Sequence, residues 1–174
     1  HGRADEVMKL FESARSKLPS LDRVNSFGSW MCLLNFVEAC YLCDLYDQAA
    51  SMAPLVERAL EVLRSYVAYD GRLVDTRAGL AAAAARRWEE AERHFSIARE
   101  VAAQMSNRLE LADLYRLHAR MLLQRGGTGD HERAAEMLQE ALSAYRTFGM
   151  PGVAAEAERL QRLAGSSGVA RAGG

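Results

Sequence analysis

The amino-acid sequence predicts an all-α fold of about eight helices, paired as consecutive antiparallel hairpins. Three observations predict it. The 174 residues include only three prolines and are rich in alanine, leucine, glutamate and arginine, which are strong helix formers. No stretch shows sustained period-two alternation of β-branched residues, so we expect no sheet. A pattern of small and bulky residues also recurs along the chain at long intervals.

Proline, glycine and capping residues divide the first half of the chain into four predicted helices. The first stops at Pro19, and the second is the most apolar. Asp47 is a good N-cap for the third, which carries Pro54 in its opening turns and ends at Asp70-Gly71. The approximate bounds of these helices are 4–18, 21 or 23 to 44, 47–69 and 72–86.

The second half of the chain divides into four more predicted helices. Asn107 can cap the sixth helix, and Asp130 can cap the seventh, which follows a glycine-rich break. Gly149 suits the left-handed position that ends the seventh helix, with Pro151 just beyond it. The approximate bounds of these helices are 88–105, 107–125, 130–148 and 153–164.

The length of the chain is sufficient for one domain with a continuous core. We expect this repeat domain to cover residues 1–164 and the glycine- and serine-rich segment 165–174 to be a flexible tail. The chain begins with His1 rather than Met, and we expect it to be a piece of a longer protein.

A spaced pattern of small, bulky and small residues is the clearest repeat signal. It occurs at Ala91, Phe95 and Ala98, at Ala134, Leu138 and Ala141, and more weakly at Ala49, Ala53 and Val56. The first alanines of these copies are 42 and 43 residues apart. A small residue where two helices cross lets their backbones approach, and the bulky residue fills the space between hairpins. Gly79, twelve residues before Ala91, would serve the same purpose on the preceding helix.

Together with Gly79, these positions resemble the signature of the tetratricopeptide repeat. The resemblance implies a right-handed superhelix of antiparallel helix hairpins. The chain departs from that pattern, because its period exceeds the usual ~34 residues. Asp75 also stands where an aromatic residue is expected, and Pro151 corresponds only loosely to the terminal proline. The alternative is an ordinary helical bundle whose alanines coincide by chance.

A second resemblance covers about residues 72–163. The runs 79–92 (GLAAAAARRWEEAE), 119–127 (ARMLLQRGG) and 144–151 (AYRTFGMP) look like the carboxy-terminal repeat region of large bacterial signalling proteins. Those proteins join a nucleotide-cyclase or DNA-binding module and an ATPase module to a helical-repeat sensor or scaffold. The resemblance implies a regulatory, protein-binding role beside other domains of a longer chain. It carries over no catalytic residue.

Charge and composition weigh against several classes of partner. The net charge is −1, from 22 basic and 23 acidic residues, whereas nucleic-acid binding usually needs a concentrated basic surface. The cleanest apolar run, Leu80 to Ala85, is far too short to span a membrane. Three cysteines lie in one apolar helix, and this odd, clustered count predicts a reduced cytoplasmic protein.

The sequence offers no constellation for catalysis, so we expect a chain that is not an enzyme and holds no cofactor. The segment Gly126–Asp130 is rich in glycine, but it follows no strand and lacks the lysine of a phosphate-binding loop. It is interpreted as an inter-helix loop. Cys40 and Cys43 form a C-x-x-C without a second pair, so we expect core cysteines rather than a metal site.

The histidines His94, His118 and His131 are separated along the chain and form no metal-binding pair. His94 falls on the polar side of the fifth helix, so the interpretation is that it faces solvent or caps a helix.

The candidate partner-binding residues are Asp113, Arg116 and Arg120 on the sixth helix. If Ala119 is the close-packing position, these side chains point into the concave groove of a repeat array. Arginine is suited to binding a carboxylate through two parallel hydrogen bonds. We therefore expect a protein or peptide partner there. The alternative is a charged surface with salt bridges within the helix.

Two further surfaces follow from the same reasoning. One is an apolar, shallow stretch that would accept an amphipathic helix or lie buried under the preceding hairpin; its residues are Leu73, Thr76, Leu80, Ala83 and Ala84. The other would make the chain a sensor for a small molecule in an apolar inter-helix pocket. Its aromatic wall would consist of Trp30, Phe36 and Tyr41 on the second helix.

Overall fold

The computed structural model describes residues 2–64 and 71–171, with side chains described for residues 3–64 and 71–165. Every regular element in these ranges is helical, and the helices pack mainly against their neighbours in sequence as hairpins. The predicted all-α fold of helix hairpins is thus confirmed. In the same ranges we find no helix with the length and apolarity that a membrane span requires.

The described ranges contain nine α-helices, and a short 3-10 turn at Arg15–Lys17 follows the first. Their bounds are α1 Gly2–Ala14, α2 Phe27–Leu42, α3 Tyr46–Ser51, α4 Ala53–Leu63, α5 Val74–Ala84, α6 Trp88–Gln104, α7 Arg108–Arg125, α8 Asp130–Thr147 and α9 Pro151–Arg171.

The chain forms two compact units, His1–Ala98 and Arg99–Gly174. The single repeat domain over 1–164 and the right-handed superhelix stay predictions.

The predicted third helix is two helices, α3 and α4. Pro54 lies at the start of α4, where its missing N–H costs no hydrogen bond, but its ring cannot follow a helix that continues from α3. The break therefore falls at Met52. At the other end, α4 stops at Leu63, and Arg64 has a φ of 58°. The predicted continuation over 65–69 lies outside the described residues.

Of the three predicted N-caps, one is confirmed. The Asn107 side chain accepts a hydrogen bond from the backbone N–H of Glu110 (3.1 Å) and caps α7. Asp47 instead lies in the first turn of α3, and the residue at its N-cap position is Leu45. Asp130 is the first residue of α8 rather than its cap.

The chain turns from α8 to α9 at Gly149, whose φ of 67° confirms the predicted left-handed position. Pro151 is the first residue of α9, where its missing N–H would be unpaired in any helix. This helix continues to Arg171, beyond its predicted end at Ala164. The backbone of 165–171 is therefore helical where the sequence predicts a flexible tail. Residues 172–174 lie outside the described residues.

In the first unit, α5 is the central helix. All eleven of its residues are buried, and it packs against α2, α3 and α4. A Cβ atom added to Gly79 would lie 3.0 Å from the ring of Phe95, so glycine lets this ring pack directly against the α5 backbone. Close packing at Gly79 agrees with the prediction, but the group that approaches is the Phe95 ring rather than a second helix backbone.

In the second unit, α8 packs against both α7 and α9, and α7 also contacts α9. The positions of the repeat pattern are buried in all three copies, across both units: Ala49, Ala53, Val56, Ala91, Phe95, Ala98, Ala134, Leu138 and Ala141. The periodic small and bulky residues thus form the core, as the sequence predicts.

Candidate functional site

The structure brings Asp113, Arg116 and Arg120 together on α7, joined by two residues that the sequence analysis missed. The Tyr145 hydroxyl donates to Asp113 (2.5 Å), and the Nε of Arg116 donates to that hydroxyl (3.1 Å). One terminal nitrogen of Arg116 contacts Asp113 (3.3 Å). Glu156 accepts from Arg116 through one carboxylate oxygen (3.1 Å) and from Arg120 through the other (3.3 Å). We call these five residues the α7 network.

These side chains are buried, which corrects the expectation that they point into an open groove. Asp113 is 4% exposed, Arg116 3% and Arg120 7%. Tyr145 on α8 and Glu156 on α9 contact them through hydrogen bonds. No sequence signal within α7 announces these partners, since they lie 29 to 40 residues further along the chain.

The protonation states of Arg116 and Tyr145 are those that the hydrogen bonds of the α7 network require. Burial lowers the pKa of Arg116, but Tyr145, Glu156 and Asp113 together raise it above its usual value, so this residue stays protonated. Burial and the neighbouring Asp113 raise the pKa of Tyr145 well above its usual range despite the opposing charge of Arg116. Tyr145 therefore remains a neutral donor to the Asp113 carboxylate.

The second predicted surface is also covered. Leu73, Thr76, Leu80, Ala83 and Ala84 are all buried, and their helix packs against α2, α3 and α4. Of the two alternatives, burial under the preceding helices is the one the structure shows.

The three aromatic residues expected to form one wall contact different surroundings. Phe36 packs edge-on against Phe11 (5.5 Å between ring centroids), and Tyr41 packs against Tyr46 (5.3 Å). Trp30 lines a cavity of about 450 Å³ with residues 20–25, Arg58 and Val62. We call this cavity the Trp30 pocket.

In the glycine-rich segment before α8, the carboxylate of Asp130 accepts the hydrogen bonds that a bound anion would otherwise accept. Asp130 accepts two hydrogen bonds from Arg125 (2.6 and 2.8 Å) and one from the Gly127 backbone N–H (2.7 Å). The hydrogen bond from Arg125 is the main reason that the pKa of Asp130 lies below its usual value. Asp130 thus occupies the place of an anion, in agreement with the interpretation as an inter-helix loop.

His94 is buried, which corrects the expectation that it faces solvent or caps a helix. Its Nδ1 lies 2.9 Å from Asp75, and Arg93 lies 3.0 Å from its Nε2. Because arginine only donates, Nε2 accepts and Nδ1 donates to Asp75. This contact gives the buried Asp75 carboxylate a hydrogen-bond partner. His118 is buried as well, with Arg99 2.7 Å from its Nδ1. His131 is half-buried and lies in the first turn of α8.

The cysteines form no disulfide, and burial followed by the nearby Cys43 raises the pKa of Cys40 to about 11. The Cys40 thiol is therefore protonated at neutral pH and packs as a small core residue. In the part of the chain that the structure describes, no group of three histidine, cysteine or acidic residues is placed to hold a metal ion.

Comparison with known proteins identifies no relative: no family model, no curated protein and no solved structure matches this chain. Among the cavities lined by described residues, the Trp30 pocket and one beside Arg77 lie in the first unit and combine polar and apolar walls.

Proposed function

We propose that this chain is a protein-interaction domain of a larger regulatory protein and binds a partner segment through the Trp30 pocket. Hairpins with buried small and bulky residues at the repeat positions support a tetratricopeptide-like scaffold, and the resemblance to bacterial signalling proteins supports the regulatory role. The predicted patch of Asp113, Arg116 and Arg120 is buried, so the proposal places binding elsewhere.

The observation that carries the proposal is the apolar exposure around the Trp30 pocket. Val24 is 99% exposed, Leu21 60% and Val62 48%, and all three line the cavity. Trp30 itself is buried. A cavity with an aromatic wall and an exposed apolar rim is suited to an apolar side chain of a partner, because docking removes the rim from water.

The loop that carries this rim is held in place before any partner binds. Asn25 pairs with the Ser20 backbone, donating to its carbonyl (2.6 Å) and accepting from its N–H (2.9 Å). An Arg23 N–H donates to the Leu18 carbonyl (3.3 Å), and Ser26 caps α2 by accepting from the N–H of Ser29 (3.2 Å). A preformed loop loses little conformational entropy on binding.

The charged residues that line the pocket indicate which residues of the partner flank the apolar side chain that enters it. Arg23, Arg58 and Asp22 line it, which gives a net charge of +1. Arg58 also pairs with Glu61 on the solvent side of α4. We therefore propose that the partner segment carries one large apolar residue flanked by acidic residues, since complementary charge steers association and fixes the orientation.

A selection from a displayed library of random peptides against the immobilised domain tests this function. We expect enriched peptides to share an apolar anchor beside Asp or Glu, and to bind Val24→Asp at least about tenfold more weakly. Val24 contributes nothing to the core, so this substitution should leave the unfolding transition unchanged.

Leu163→Asp is the matched control, because Leu163 is 48% exposed on α9 and lies outside the pocket. Peptides should bind this variant as they bind the original chain. The proposal fails if no sequence family is enriched, or if the enriched peptides bind Val24→Asp with undiminished affinity.

A further inference from the structure

We infer that the side chain a partner inserts into the Trp30 pocket is that of a tyrosine, whose hydroxyl donates to Asp22. This inference rests on the protein-binding function proposed above and narrows its apolar anchor to one residue type. It follows from the lining of the cavity of about 450 Å³, in which apolar and charged side chains meet.

The apolar part of the lining favours an aromatic ring. Trp30 belongs to this part, and the exposed side chains of Leu21, Val24 and Val62 form the rim around it. Aromatic rings attract one another when they pack edge to face or offset, and an aliphatic side chain lacks this attraction. A flat ring that enters between the rim residues would therefore gain more from Trp30 than a leucine of the partner would.

Two arginines in the lining strengthen the preference for a ring. Arg23 belongs to the loop of residues 20–25 and Arg58 to α4, and both are exposed. A guanidinium is attracted to the face of an aromatic ring, and more strongly when docking removes it from water. The second unit contains such a contact, since the Arg108 guanidinium lies 5.4 Å from the centre of the Phe148 ring. An aliphatic anchor would cover the same arginines without this compensation.

The carboxylate in the lining favours a hydroxyl on the ring. Asp22 is exposed and precedes Arg23 in the loop. In the α7 network the same two residue types bind a tyrosine, because the Tyr145 hydroxyl donates to Asp113 (2.5 Å) and accepts from Arg116 (3.1 Å). A phenylalanine of the partner would cover the Asp22 carboxylate without giving it a donor, which costs binding energy. Tyrosine is the residue that complements the ring surface, the arginines and the carboxylate together.

The test is an NMR titration of the domain with three peptides, acetyl-Glu-Asp-X-Glu-Asp-amide, in which X is tyrosine, phenylalanine or leucine. We expect the tyrosine peptide to shift the backbone amide signals of residues 20–30 and 58–62 in a saturable way. It should bind about fivefold more tightly than the phenylalanine peptide, which should bind about threefold more tightly than the leucine peptide.

The three peptides separate this inference from the function on which it rests. If the phenylalanine or the leucine peptide binds at these residues as tightly as the tyrosine peptide, the inference is overturned and the protein-binding function stands. If none of the three shifts these signals in a saturable way, both are overturned.

Asp22→Ala isolates the contact with the hydroxyl. The lost negative charge affects all three peptides alike, so the readout is the ratio of the tyrosine and phenylalanine affinities, which should fall from about five to about one. Asp22 is exposed, so the fold should be kept. Asp47→Ala makes the same charge change at an exposed position of the same unit outside the pocket, and it should keep the ratio. A ratio that Asp22→Ala leaves unchanged would overturn the inference.

Discussion

Helices α5 and α7 each precede a copy of the repeat pattern but bury different side chains at matching positions. When Ala119 is aligned with Gly79, Thr76 and Leu80 of α5 correspond to Arg116 and Arg120 of α7, and all four residues are buried. The α5 pair is covered by α2, α3 and α4, whereas Tyr145 and Glu156 hydrogen-bond to the charged α7 pair. Burial at these positions therefore follows from their place in the hairpins and not from their polarity.

The largest expected effect comes from reversing the charges of α7. In Arg116→Glu/Arg120→Glu, four acidic groups would face each other where Asp113 and Glu156 now neutralise two arginines. Breaking a buried ion pair costs about 3–5 kcal/mol, and this change adds repulsion, so we expect at least that loss in the free energy of unfolding. Urea denaturation measures it. A loss below about 1 kcal/mol, as for exposed pairs, would mean that α7 is a surface helix after all.

A second comparison uses the bulky residue of the pattern in each unit. Phe95→Ala should cost roughly 3–5 kcal/mol and Leu138→Ala roughly 2–5 kcal/mol, because both side chains are completely buried and each truncation leaves a cavity. Thermal and denaturant melts of both variants measure these losses. If one variant lost almost nothing, the pattern would describe the core of only one unit.

The small residue of the pattern should give a smaller effect. Ala91 is fully buried, so Ala91→Leu should overpack the core and cost on the order of 1–3 kcal/mol. Ala91→Ser, which changes the volume little, is the matched control in the same denaturant series. Equal stability of the leucine variant and the original chain would show that no close helix contact exists at this position.

The smallest predicted effect concerns Asp130 and depends on pH. Its folded-state pKa is depressed, so its contribution is present above the unfolded pKa of about 4 and is lost as the pH falls through the folded pKa. Asp130→Asn should cost on the order of 1 kcal/mol at pH 7 and much less in strong acid. Unfolding free energies at pH 7 and below pH 3 measure the difference. An equal cost at both values would show that ionisation of Asp130 contributes nothing.

The sequence predicted those features of the fold that depend on residue spacing or on the chemistry of a single residue. Buried alanines, Gly79 against Phe95, the Asn107 cap and Gly149 all follow from spacing or from single-residue chemistry. The end of α4 was missed, because Arg64 takes a positive φ there and the sequence carries no signal for it.

The candidate site was harder to predict, because its surroundings come from distant parts of the chain. Arg116 was correctly placed beside Asp113 on one helix face, but its exposure depends on Tyr145 and Glu156. Leu21 and Val24 did leave a signal, since they are apolar residues in an otherwise polar segment between two helices. The sequence could not predict that they line a cavity with Trp30, because α4 supplies the other lining residues, Arg58 and Val62.

Fluorescence of Trp30 tests the proposed binding site most directly. The chain has two tryptophans, so Trp88→Phe leaves Trp30 as the only one. During titration with a selected peptide that carries an apolar anchor, we predict a saturable change in the intensity of the Trp30 emission, because the anchor packs into the cavity that Trp30 lines. The change should disappear when Val24→Asp is added. Peptide binding that leaves the Trp30 emission unchanged would contradict the account.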